Sequence, residues 1–155
     1  MAKTISLKDI PADTVLAEFV TDNNKLSVWK IENESDLIDA FIALGSNCNS
    51  IGSIDAVKID ENIISHLSFD DENGNTPTVG INHKHRNITN LNYVTLGDVI
   101  DSMIQGIGNE GYVHKTRGEM KAILVQAYNE KRIDMEKVPP NMKVSILKAV
   151  AKETT

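Results

Sequence analysis

Apolar residues recur at helical spacing in some stretches of the chain and alternate with polar ones in others, and the two patterns divide it into elements. From Pro11 to Val20 the residues Val15, Leu16, Phe19 and Val20 form an apolar face. Pro11 suits a first helical turn, and Asp13 suits the positive end of the helix dipole. Asp22-Asn23-Asn24 reads as a turn. Leu26 to Ile31, with Val28, Trp29 and Ile31, reads as a strand. A second helix starts at Asn33 or Ser35, runs through Leu37, Ile38, Phe41, Ile42 and Leu44, and meets Gly45 as a natural C-cap. Ser46 to Ser53 is a loop and Ile54 to Ile59 a second strand.

A hairpin follows. Ile63, Ser65, Leu67 and Phe69 alternate, Asp70 to Asn75 supplies a turn around Asn73-Gly74, and Thr76 to Asn82 returns. Pro77 confines the start of that return to a sheet edge. The last third is helical. Thr95 with Asp98 marks one start, before Leu96, Val99, Ile100, Met103, Ile104 and Ile107, with Gly106 and Gly108 ending the stripe. Thr116-x-x-Glu119 is a capping box before Met120, Ile123, Leu124, Ala127 and Tyr128. Pro139-Pro140 breaks the chain, and Asn141 caps a final helix through Val144, Leu147 and Val150.

The pattern predicts an α+β fold: a small mixed or antiparallel sheet, N-terminal helices and a three-helix C-terminal segment. At 155 residues the expectation is a single domain, with an α/β part over 1–94 carrying the central hairpin and a helical part over 95–155 packed on it. Only 5% of residues are aromatic, so Ile, Leu, Val and Met must carry the core. Cys48 is the single cysteine, which excludes an internal disulfide and suits a reducing compartment. No apolar run approaches the roughly 20 residues of a membrane helix, and Met1 to Ile10 lacks a signal-peptide core. The chain therefore reads as a cytoplasmic protein without a membrane partner.

Charge changes this picture most. Residues 1–80 hold 5 Lys and 14 Asp or Glu, a net of −9, whereas residues 81–155 hold 11 Lys or Arg and 8 Asp or Glu, a net of +3. A whole-molecule charge of −6 argues against nucleic acid as a partner. Glu32, Glu34, Asp36 and Asp39 surround one helix start, and Asp70, Asp71 and Glu72 lie further on. Such acids can form a face that steers a basic protein partner. The same split would let the acidic half of one copy meet the basic half of the next, a homo-oligomer.

Candidate chemistry gathers where the sign changes, at His83-Lys84-His85-Arg86. If the return strand runs on, His83 and His85 share a face, and His66 on the neighbouring strand would be a third ligand for zinc or another transition metal. Lys84, Arg86, Lys115 and Arg117 form a candidate anion site, the last two flanking the Thr116 cap. The run Ile81-Asn82-His83 to Asn90-Leu91-Asn92-Tyr93-Val94-Thr95 is superficially similar to the histidine–asparagine core of HNH nucleases. The step from His83 to Asn90 is shorter than in that finger, and His66 alone could supply the upstream histidine, so no membership is drawn. Asp70 to Asn75 fails as an EF-hand loop because Phe69 falls where the first Asp is required. Gly106-Ile107-Gly108-Asn109-Glu110-Gly111 follows a helix rather than a strand, which excludes a dinucleotide fingerprint. No Gly-x-Ser-x-Gly motif occurs, and Cys48 has no cationic neighbour in sequence to activate it. The leading expectation is a small non-enzymatic binding protein of the inhibitor, immunity or regulatory kind that uses an acidic face. The alternative is a metal-dependent hydrolase or nuclease built on His83 and His85.

Overall fold

The computed structural model describes residues 21, 23–78 and 80–153, so the helix expected over Pro11–Val20 lies outside the described residues. The order of elements is β1 (Leu26–Trp29), α1 (Glu34–Ser46), β2 (Ile54–Val57), β3 (Ser68–Asp70), a 3-10 turn (Asn82–Lys84), β4 (His85–Thr89), α2 (Tyr93–Gly108), β5 (Tyr112–Lys115), α3 (Arg117–Asn129) and α4 (Pro140–Glu153). The fold is α+β, as the pattern predicted. One sheet has the order β1-β4-β3 and a second pairs β2 with β5. β3 and β4 run antiparallel, with Ser68 opposite Thr89 and Asp70 opposite Asn87.

The chain divides into two compact units, neither continuous in sequence. Among the described residues, one draws on the stretch up to Val28, on Ala56–Asp71 and on Arg86–Val113, and the other on Trp29–Asp55, Glu72–His85 and the stretch from His114 onward. The first is organised around Ile64, Leu67, Ile88, Leu91 and Val99, with Leu26, Val28, Ile59 and Met103 packed against them. The second has its main core in Ile42, Leu124, Ala127, Ile133, Val138, Met142 and Ile146. A smaller cluster of Ala40, Ala43 and Ile81 lies under Trp29 and Ile31. In the second unit α1 packs on α3, and α3 on α4. Each fully buried Ile or Leu here contributes about 1.5–3 kcal/mol of apolar burial.

Local chemistry sets the helix starts. Asn33 accepts from the Asp36 amide at 3.1 Å, and the Asp36 carboxylate accepts in return from the amides of Glu32 and Asn33 at 2.9 and 3.3 Å. Thr116 and Glu119 form the predicted box at the start of α3. The Asn23-Asn24 turn is present, both residues at positive φ (51° and 58°), a conformation Asn tolerates better than most side chains.

Several expectations are corrected. α2 is capped by Asn92, whose side chain accepts from the amides of Val94 and Thr95. Thr95 is instead the second half of that box, its hydroxyl accepting from the Asn92 amide at 2.9 Å. α1 runs past Gly45 to Ser46 and is capped by Asn47. Gly45 serves packing: a Cβ there would stand 2.7 Å from the Met120 Cε, so its absence lets α1 and α3 approach. The partner of β3 is β4, not Thr76–Asn82. That segment is held as a loop by Asn82, whose Oδ1 accepts from the Thr76 amide and hydroxyl and whose Nδ2 donates to the carbonyls of Thr76 and Thr78. Side-chain bonds have taken the place of a ladder that Pro77 could not complete. β5 was not foreseen. In α4 the buried residues are Met142, Ile146 and Ala149, while Val144 and Leu147 face solvent.

Candidate functional site

Most of the acids expected to form a partner face are occupied within the chain. Lys84 leaves the 3-10 turn and donates to Asp36 at 2.6 Å and to Glu32 at 3.0 Å. Asp36 thus caps α1 and is itself neutralised. The Lys84 ammonium, by hydrogen bonding and then by charge, holds the Asp36 and Glu32 carboxyls below their ordinary range. Asp36 and Glu32 in turn raise Lys84 above its own. Asp39 on α1 pairs with Arg132, which also reaches Glu130 at 3.1 Å. Asp71 meets Arg86 at 2.5 Å, and Asp70 meets Lys25 at 3.0 Å. The Glu72 carbonyl accepts from His85 Nδ1 at 2.7 Å. Of the seven acids expected to form a partner face, Glu34 stands exposed beside the Asn33 cap, with no ion pair among the described residues. Asp36–Lys84, Asp39–Arg132 and Asp71–Arg86 each join an acid from residues 1–80 to a base from residues 81–155. Glu32–Lys84 and Asp55–His114, the latter at 2.7 Å, do the same.

The histidines serve separate local contacts. His83 lies in the 3-10 turn and His85 opens β4, so they do not follow strand period there. His85 packs edge-on against Trp29, with ring centres 5.2 Å apart. His66 contacts Asp98 at 3.1 Å. Among the described residues no group of three or more His, Cys, Asp or Glu side chains is placed to hold a metal ion. The four cations of the expected anion site are also dispersed in role. Lys84 and Arg86 hold carboxylates, and Lys115 lies 4.0 Å from Glu119. The Thr116 amide and hydroxyl both donate to the Glu119 carboxylate, which those hydrogen bonds hold below its ordinary range. That helix end is already satisfied, while Arg117 is exposed at its first position. A hollow of about 50 Å³ beside Gly45, Cys48, Ile54, Met120 and Leu124 has room for a water or two.

What the pattern missed is the surface of α2. Tyr93 is 94% exposed and Val94 73%, on the first turn of a helix whose end is fixed by the Asn92 box. Val94, Asp98, Asp101 and Gln105 follow at i, i+4, i+7 and i+11 and so share one strip, with Tyr93 at its edge. From Tyr93 to Glu110 the chain holds Asp98, Asp101 and Glu110 and no Lys or Arg. The signal was legible: an Asn92 cap, three residues before Thr95, puts Tyr93 and Val94 in the first turn. No helix among the described residues is long and apolar enough to cross a membrane. Comparison of the chain with protein-family profiles, with curated protein sequences and with solved structures gave no match.

Proposed function

We propose that this protein is a small non-enzymatic binding module that engages a basic protein partner through the acidic, apolar strip of α2. The exposure of Tyr93 and Val94 carries the reading. Two adjacent large apolar side chains on a capped, well-held helix lie open to water at a hydration cost that a partner would remove. Tyrosine is well suited to such an anchor, because it gives contact area for little lost side-chain freedom. The Asp101 carboxylate beside them, and that of Asp98 with its His66 contact, add negative charge that favours a cationic partner. The acids from Glu32 to Glu72 are a weaker choice, because most of them already hold cations of the same molecule.

The test is site-specific photocrosslinking in native cells, with a photoreactive phenylalanine analogue placed either at Tyr93 or at Glu34. A discrete product from position 93 that is absent from position 34, and that maps to a Lys- or Arg-rich segment, is the expected result. A partner linked only from position 34 would overturn the assignment and return the contact to the acidic start of α1.

A further inference from the structure

We infer that the partner segment is supplied by a second copy of this chain: the outer face of α4 on one molecule docks on the α2 strip of the next. This rests on the reading of α2 as a contact surface. α4 buries Met142, Ile146 and Ala149 inward, yet keeps Val144 49% and Leu147 42% exposed on the opposite side. Val144, Leu147 and Lys148 stand at i, i+3 and i+4, with Lys143 and Lys152 along the flanks. From Val138 to Lys152 the chain holds three Lys and no Asp or Glu. The helix is therefore apolar on two faces, and its outer apolar face is rimmed by positive charge.

Charge decides the pairing. Two α4 faces brought together would oppose lysines, and two α2 strips would oppose Asp98 and Asp101. Setting α4 on α2 opposes unlike charges and matches apolar residues with apolar ones. The elements are commensurate, at 16 and 14 residues or about 24 and 21 Å. Because the two faces differ, a single contact leaves one α2 strip and one α4 face free, so assembly continues until both are used, in a reciprocal dimer, a ring or an open chain. Exposed charges at its rim make the contact sensitive to salt. The charge imbalance of the chain thereby acquires a use beyond the internal ion pairs.

The experiment is analytical ultracentrifugation of the full chain at low and high salt, with two variants. Val94→Ser/Asp101→Lys damages only the α2 strip, and Leu147→Ser/Lys148→Glu damages only the α4 face. All four positions lie on the surface, so each variant should fold as the wild type does, which circular dichroism checks. Wild type is expected to form dimers or larger species at low salt and smaller ones at high salt. Each variant alone is expected to be a monomer. Mixed in equal amounts, the two variants retain one good face each and should form a dimer that grows no further. Wild type that stays monomeric at both salts, or a mixture that stays monomeric, would overturn the assembly. A monomeric wild type that still crosslinks a different protein from position 93 would sink the assembly and leave the binding module standing. Absence of both results would remove the two together.

Discussion

Gly106 offers a sharp test because two effects on it have opposite signs. It lies in the last turns of α2, where replacing Gly by Ala in an exposed helix interior would stabilise by about 1 kcal/mol. Here a Cβ would come 2.2 Å from the Lys58 carbonyl oxygen and 3.1 Å from the Val57 Cγ1. The first distance is about 1 Å shorter than the ~3.3 Å at which carbon and a carbonyl oxygen ordinarily meet. The obstacle is backbone, and it is latched: the Lys58 amide donates to the Gly111 carbonyl at 2.9 Å, and the Gly111 amide to the Gly106 carbonyl at 2.7 Å. Overpacking of this kind costs about 1–3 kcal/mol or more, and with backbone as the obstacle the upper end applies. Gly106→Ala should therefore lose about 2 kcal/mol net, a fall in Tm of about 4–8 °C for a chain of this size. Gly118, in the first turn of α3, is the control: a Cβ there meets nothing nearer than the Thr116 Oγ1 at 3.9 Å. Gly118→Ala should gain about 0.4–1 kcal/mol. Urea and thermal unfolding of both variants measure this, and a Gly106→Ala protein as stable as wild type would refute the reasoning.

Removing the charge of Lys84 should change the response to acid. Asp36 and Glu32 are depressed by Lys84, so their contribution is present above the ordinary carboxylate range and is lost as pH falls through their lowered values. Lys84→Met should be less stable than wild type at neutral pH, and urea midpoints of the two should converge on acidification; a gap that persists unchanged to low pH would refute this. On α4, Ile146→Ala should cost about 2–5 kcal/mol, whereas Leu147→Ala should stay within about 0.5 kcal/mol, as thermal melts would show. The reverse order would mean that the face read from the spacing is the buried one. The Thr78 hydroxyl is buried and, among the described residues, has no hydrogen-bond partner. Thr78→Val, nearly the same shape, should raise stability by about 1 kcal/mol, and a lower urea midpoint would reveal a bond the hydroxyl makes.

Much of the fold was legible because much of it is local. The Asn33 and Thr116 boxes each depend on four consecutive residues, and so does the Asn92 box that was misplaced onto Thr95. The hairpin was half legible. β3 could be read from alternation, but its partner lies beyond a loop whose hold, four hydrogen bonds from Asn82, leaves no periodic trace. In α4, Val144, Leu147 and Val150 and the set Met142, Ile146 and Ala149 both fit helical spacing, and the fold buries the second set, keeps Val150 partly against the core and leaves Val144 and Leu147 exposed. The α2 strip was hidden for a related reason: an apolar pair reads as core until the fold leaves it uncovered.

The sequence by itself determined the α+β class, the Thr116 helix start and the size of the charge imbalance, since these follow from composition and from chemistry within a few residues. Only the tertiary structure decided where the charge goes. Asp36 and Lys84 lie 48 positions apart, and Asp39 and Arg132 lie 93 apart. No spacing rule links residues so distant, and their attraction becomes effective only after folding brings them within a few ångströms in a setting poorer in water. The same folding paired most of the expected acidic residues within the chain and left apolar residues of α2 and α4 exposed.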